Sequence, residues 1–299
     1  MKLQRVLTYT VVCTAITIVS AGCSLFDKDG SDGSPTAPTA PSATGPIRYT
    51  ALGASDANGV GASIVCAPLT TCDNGTGYVP LLAQRLRTNR EVRLTNLGIP
   101  ASTLSPTIQQ IAQAHGRDVP ANFVDREMPF VPSDTTLVTI LGGPNDVNAL
   151  GDAIQRGAAG STDVKAYIET QVRAFGTDYD RLIGGVKSRA RGAFIIVLNV
   201  PNMAGLPYSA SSTQLQKQGL QAISVGFSRE ANRQAGPGVV VLDLMCDPQT
   251  YDPSRYSSDG FHPNDAGYAY MADRLLAIVN GATPGAASSC GQMTLVSPL

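Results

Sequence analysis

One stretch of this 299-residue chain has residue types and spacing suited to proton transfer: Ser258-Asp259-Gly260-Phe261-His262-Pro263-Asn264. It holds one of only two histidines in the protein. A histidine that shuttles protons near neutral pH needs a partner on its other ring nitrogen. An acid three residues earlier, in a loop punctuated by Gly and Pro, can supply that partner locally. Alone, the pair reads as a loop ion pair. Asp259 and His262 could instead be metal ligands, but no further His or acidic cluster lies at ligand spacing, so a metal is not expected here. The other histidine, His115, stands in Gln113-Ala114-His115-Gly116 at an apparent helix end, where a cationic side chain favours the helix dipole and a structural or surface role is expected.

The elements that must position such a site alternate between two periodicities. Strands are expected over residues 48–53 (RYTALG), 92–97, 136–141 (TLVTIL), 194–198 (FIIVL) and 239–244 (VVVLDL). Between them lie helical patterns at 79–86, 104–114 and 215–231. The clearest is Val164, Ile168, Val172, Phe175, Tyr179, Leu182 and Val186, which step by threes and fours. A last helix carries Tyr268, Met271, Leu275 and Val279, with Pro263 suited to its entry. Five strands separated by helices predict an α/β fold, a parallel sheet between two helix layers. Such sheets bind ligands at the carboxyl ends of their strands, so the residues after each strand decide what His262 can do.

Gly53-Ala54-Ser55-Asp56-Ala57-Asn58-Gly59 follows the first strand, and a serine in such a turn either exposes its hydroxyl or caps a helix. It is not a phosphate loop, which would end in Gly-Lys-Ser/Thr, nor the Gly-x-Ser-x-Gly elbow, since Ala57 holds the last position. Asn96-Leu97-Gly98 follows the second strand, and its glycine permits close backbone approach to a ligand. Gly142-Gly143-Pro144-Asn145-Asp146 follows the third and is read as a loop offering the Asn145 amide as a donor. Loops 117–133 and 201–213 are expected to wall a pocket.

The ordered set Gly53-x-Ser55, Asn96-x-Gly98, Gly143-x-Asn145-Asp146 and Asp259-x-x-His262 resembles the SGNH (GDSL) hydrolase family and spans almost the whole domain. The resemblance implies a flavodoxin-like α/β/α fold with a central five-stranded parallel sheet. It implies Ser55 as nucleophile, His262 as general base and Asp259 as the residue orienting the imidazole. The oxyanion donors would be the Ser55 and Gly98 amides and the Asn145 side chain. A lipase or esterase, or a carbohydrate O-acetyl esterase, working without metal or organic cofactor is implied; a catalytically silent exported binding protein is the alternative. The family usually has Gly-Asp-Ser where this chain has Gly53-Ala54-Ser55, so altered support of the serine turn is expected.

The ends of the chain read differently. Lys2 and Arg5 precede an apolar run at 6–19, and Ser20-Ala21-Gly22-Cys23 closes it. That is a secretory signal over 1–22. It resembles a bacterial lipoprotein signal, with Cys23 as the lipidated residue, although Ser20 stands where Leu is usual. Ordinary signal cleavage and an uncleaved anchor are the other readings. Residues 23–46 are rich in Ser, Thr, Pro, Gly, Asp and Ala and form a tether, leaving 47–299 as one domain. Of six cysteines, Cys66, Cys72, Cys246 and Cys290 fall in that domain, and an even count in an exported chain favours disulfides, most simply Cys66–Cys72 and Cys246–Cys290. With 22 basic and 23 acidic residues the chain has no nucleic-acid footprint, and without Trp it lacks the platforms of a carbohydrate-binding module. A monomer is expected, touching a membrane only through its N-terminal lipid and taking a small-molecule, carbohydrate or lipid ester as substrate.

Overall fold

A computed structural model describes residues 40–41 and 45–299. The expected signal at 1–22, Cys23 and nearly all of the tether lie outside the described residues. Five strands, β1 (Ile47–Gly53), β2 (Val92–Asn96), β3 (Leu137–Leu141), β4 (Phe194–Leu198) and β5 (Val239–Leu242), form one all-parallel sheet in the order β2-β1-β3-β4-β5. Strand β4 shows why apolar runs of this kind become central strands. Phe194, Ile196 and Leu198 face one helix layer, Ile195 and Val197 face the other, and all five are buried.

The first layer holds α2 (Tyr78–Arg87) and α8 (Asp265–Val279). The second holds α3 (Pro106–Ala114), α5 (Pro144–Gln155), α6 (Val164–Arg189) and α7 (Gln214–Asn232). Two one-turn helices, α1 (Ser55–Asn58) and α4 (Phe123–Arg126), complete the set. The chain leaves β1 toward one layer and β3 toward the other, so the crevice where the direction of winding changes lies between these neighbours. Ser55 follows β1 at that crevice, and Asn145 follows β3.

The sequence patterns place all five strands to within two residues. Strand β5 stops at Leu242 rather than 244 because the Leu244 and Met245 amides turn away to donate to Asn199 Oδ1. Helix α3 begins at Pro106 because Ser105 caps it, its Oγ accepting from the Ile108 N–H at 3.1 Å. The largest departure is α5, where the sequence reads as a loop: Pro144 stands at its first position, and Val147, Leu150 and Ala153 bury its inner face. Pro263 lies one residue before the cap of α8 rather than inside it, since Asn264 Oδ1 accepts from the Ala266 and Gly267 amides. Disulfides join Cys66 to Cys72 and Cys246 to Cys290, with Cα separations of 5.5 and 5.7 Å. No helix among the described residues is long and apolar enough to cross a membrane.

Asp146, the third residue of α5, is fully buried and accepts hydrogen bonds from the Leu104 and Ser105 amides at 2.8 and 2.9 Å. Burial pushes its carboxyl up to about 7 against those two bonds. A carboxyl raised in this way binds its proton more tightly in the folded than in the unfolded chain. Its effect on stability is therefore complete below about pH 4 and lost as the pH rises toward about 7. The melting temperature is accordingly expected to fall by a few degrees across that interval, and Asp146→Asn to flatten the fall. An equal slope in the variant would contradict this.

Candidate active site

The strand ends bring the distant residues together. Ser55 opens α1 directly after β1 and is 7% exposed. His262 Nε2 lies 2.8 Å from Ser55 Oγ, and its Nδ1 lies 2.6 Å from Asp259 Oδ2. An ionised carboxylate can only accept, so Nδ1 carries the proton and Nε2 is left to accept from the serine hydroxyl. Burial raises the Asp259 carboxyl, but bonds from the His262 ring, the His262 and Phe261 amides and the Ser257 hydroxyl outweigh it and bring it to about 2. The acid is therefore ionised across the neutral range.

The loop bearing Asp259 and His262 is pinned from several sides. Asp259 Oδ1 accepts from Ser257 Oγ and from the Phe261 and His262 amides at 2.8–2.9 Å. Gly260 takes a φ of +66°, and a side chain there would strike the Tyr208 amide at 2.6 Å, so only glycine closes this turn. Gly61 backs the histidine so closely that a Cβ would lie 2.8 Å from His262 Cβ. The Phe261 ring meets the imidazole edge-on, with centroids 4.8 Å apart.

Asn145 lies in the first turn of α5, half-buried, and its Nδ2 donates to the Ser102 carbonyl at 2.9 Å. An amide nitrogen has two hydrogens, so this bond fixes the plane of the group and leaves the second hydrogen available. Gly98 packs against the serine turn, where a Cβ would sit 2.7 Å from Ala57 Cβ. Its N–H donates to Asn96 Oδ1 at 3.1 Å, a partner that the residue types alone did not reveal. His115 caps the C-terminal end of α3, and its carbonyl accepts from Arg156.

Ala54 is buried and gives α1 no side-chain cap. Two residues before the serine, the Gly53 N–H donates to Glu127 Oε2 at 2.9 Å. A cavity of about 60 Å³ adjoins the site. It is bounded by Asp56 after the serine, Pro144 before Asn145, and Phe261 and Pro263 around His262. Met203, Leu206 and Leu244 make much of it apolar. Loop 201–213 contributes to this wall as expected; segment 117–133 does not, and its Glu127 is turned into the core instead. Burial raises the Asp56 carboxyl, while His262 and the Tyr268 hydroxyl pull it down.

The sequence profile of the GDSL-like lipase/acylhydrolase family matches residues 51–270. No curated protein matches the sequence. A lipase from a goat rumen metagenome has a similar structure, at 20% identity and a TM-score of 0.53, over 77% of this chain and 96% of that one. An extracellular lipase from Streptomyces rimosus, at 20% identity and a TM-score of 0.50, aligns over 79% of this chain and 100% of its own. Phospholipase A1 from Streptomyces albidoflavus, at 18% and 0.51, aligns over 77% and 98%. At such identities the likeness establishes the three-layer fold.

Proposed function

We propose, for a chain that belongs to the GDSL-like lipase/acylhydrolase family and is therefore a hydrolase of ester bonds, that it cleaves short-chain carboxylic esters through an acyl-enzyme on Ser55. His262 Nε2 takes the Ser55 proton as Oγ attacks the ester carbonyl. The tetrahedral oxyanion forms against the Ser55 amide, the second Asn145 amide hydrogen and the Gly98 N–H, which it shares with Asn96. Collapse returns the proton from His262 to the leaving alkoxide and leaves the acyl group on Oγ. Water, deprotonated by the same nitrogen, then releases the carboxylic acid and restores Ser55. Asp259 keeps the imidazole in the tautomer that accepts at Nε2. The observation that carries this reading is the unbroken line Asp259–His262–Ser55, with contacts of 2.6 and 2.8 Å.

The short-chain preference rests on the cavity. The cavity that adjoins the serine and histidine loops is small, about 60 Å³, and largely apolar. That suits acetyl to butyryl groups, and an O-acetylated carbohydrate is one ester of this class. In the same reading the chain is exported, anchored through lipid on Cys23, and works as a monomer with no cofactor. With p-nitrophenyl esters of increasing length, kcat/KM is expected to peak between two and four acyl carbons and to fall at least about tenfold by eight. A maximum at eight carbons or beyond would contradict the short-chain assignment.

A further inference from the structure

The segment expected to wall the pocket carries instead a buried acid that the reaction above does not use. Glu127 joins α4 to the short turn Met128–Phe130 and is fully buried. Its Oε2 accepts the Gly53 N–H at 2.9 Å, and its Oε1 lies 3.4 Å from Ser102 Oγ. Burial drives the carboxyl well above its usual range, opposed chiefly by the bond from the Gly53 amide, and no cation figures among these influences. An acid kept in a core without a counter-charge is costly, so the groups it holds are informative.

Each contact ends at the scaffold of a different oxyanion donor. Gly53 stands two residues before Ser55, and its carbonyl accepts the Ile99 N–H at 3.1 Å, beside Gly98. Ser102 Oγ donates to the Ile99 carbonyl at 2.6 Å, and the Ser102 carbonyl receives Asn145 Nδ2 at 2.9 Å. One carboxyl group thus touches both ends of a network that carries the Ser55 turn, the Gly98 segment and the Asn145 side chain. Ala54, the residue adjoining the serine, has no polar group with which to do this.

We propose that Glu127 is a positioning residue that sets the mutual placement of the Ser55 amide, the Gly98 amide and the Asn145 side chain from the core side, without touching substrate. It acts as the neutral acid. The Ser102 hydroxyl has one hydrogen, and the 2.6 Å bond to Ile99 takes it, so a bond across the 3.4 Å contact draws its hydrogen from Glu127. Glutamine reproduces this arrangement, with its carbonyl toward Gly53 and its amide toward Ser102. Leucine and aspartate do not: the first has no acceptor, and the second is shorter by one methylene.

The role rests on the Ser55 mechanism and is tested on the full chain with p-nitrophenyl acetate, measuring kcat, KM and melting temperature with Ser55→Ala as control. Glu127→Gln is expected to keep kcat within about threefold. Glu127→Leu is expected to lower kcat about 100-fold with KM within about twofold, as for a small misplacement of donors that act only in the transition state. A purely structural residue would lower the melting temperature and leave kcat per folded molecule unchanged. Should the Leu variant fail to fold, Glu127→Asp decides, with about a tenfold loss in kcat expected at unchanged KM. Wild-type kcat in a folded Leu or Asp variant, or a Gln variant as impaired as Leu, would overturn the proposal. Equal hydrolysis by wild type and Ser55→Ala would instead remove the Ser55 mechanism, and the Glu127 role with it.

Discussion

Replacing Ser55 with alanine is expected to lower kcat/KM toward a short p-nitrophenyl ester by about 10⁴-fold or more. The variant keeps the turn, the imidazole and the oxyanion donors but has no atom to form the acyl intermediate. What remains is hydrolysis by water held near polarising donors. Stability is expected to change by no more than about 1 kcal/mol, because the one hydrogen bond given up by Ser55 Oγ is to His262. A melting curve that overlays the wild type, beside a nearly complete loss of turnover, separates chemistry from folding. Equal turnover in the two proteins would remove Ser55 from the mechanism.

Asp259→Asn is the second large effect, with kcat expected to fall by about 10³- to 10⁴-fold. The geometry dictates how the asparagine would sit. Three donors, Ser257 Oγ and the Phe261 and His262 amides, converge on the Oδ1 position and select the amide oxygen there. The amide nitrogen is thereby turned toward His262 Nδ1. A donor facing Nδ1 forces the ring proton onto Nε2, the atom that must be free to take the serine proton. The loop fold survives while the tautomer is wrong. Kinetics over pH 6–9, with circular dichroism to show an intact fold, would measure this. A variant within tenfold of wild type would mean that Asp259 only steadies the loop.

Much of the site is legible in the sequence because each of its groups follows a strand, and apolar strands are the easiest elements to recognise. Strand patterns such as the fully apolar β4 place Ser55, Asn145, Asp259 and His262 at strand ends, and the structure brings Asp259, His262 and Ser55 into contact at the carboxyl end of the sheet. Asn145 reads as a loop residue in the sequence although it lies on a helix. Pro144, Asn148 and Gly151 weaken the helical pattern of α5, whose signal is the spacing of Val147, Leu150 and Ile154 behind a first-position proline.

Other features have no local signature. The Gly98 amide turns to Asn96 because of how the chain leaves β2. Glu127 meets Gly53 across 74 positions of chain, and nothing in its neighbours distinguishes it from an acid on a solvated loop. Tertiary packing alone makes it a core residue. The absence of a polar side chain at Ala54 is visible in the sequence, whereas the carboxyl that meets the neighbouring Gly53 amide is not.

The central claim is a nucleophilic serine activated by His262, and covalent labelling tests it most directly. Treatment of the purified chain with a fluorophosphonate, followed by proteolysis and mass analysis, is expected to give one adduct per molecule on the peptide containing Ser55. Labelling should proceed in step with the loss of esterase activity and be abolished in His262→Ala. An adduct on another residue, or full activity in protein labelled at Ser55, would contradict the mechanism.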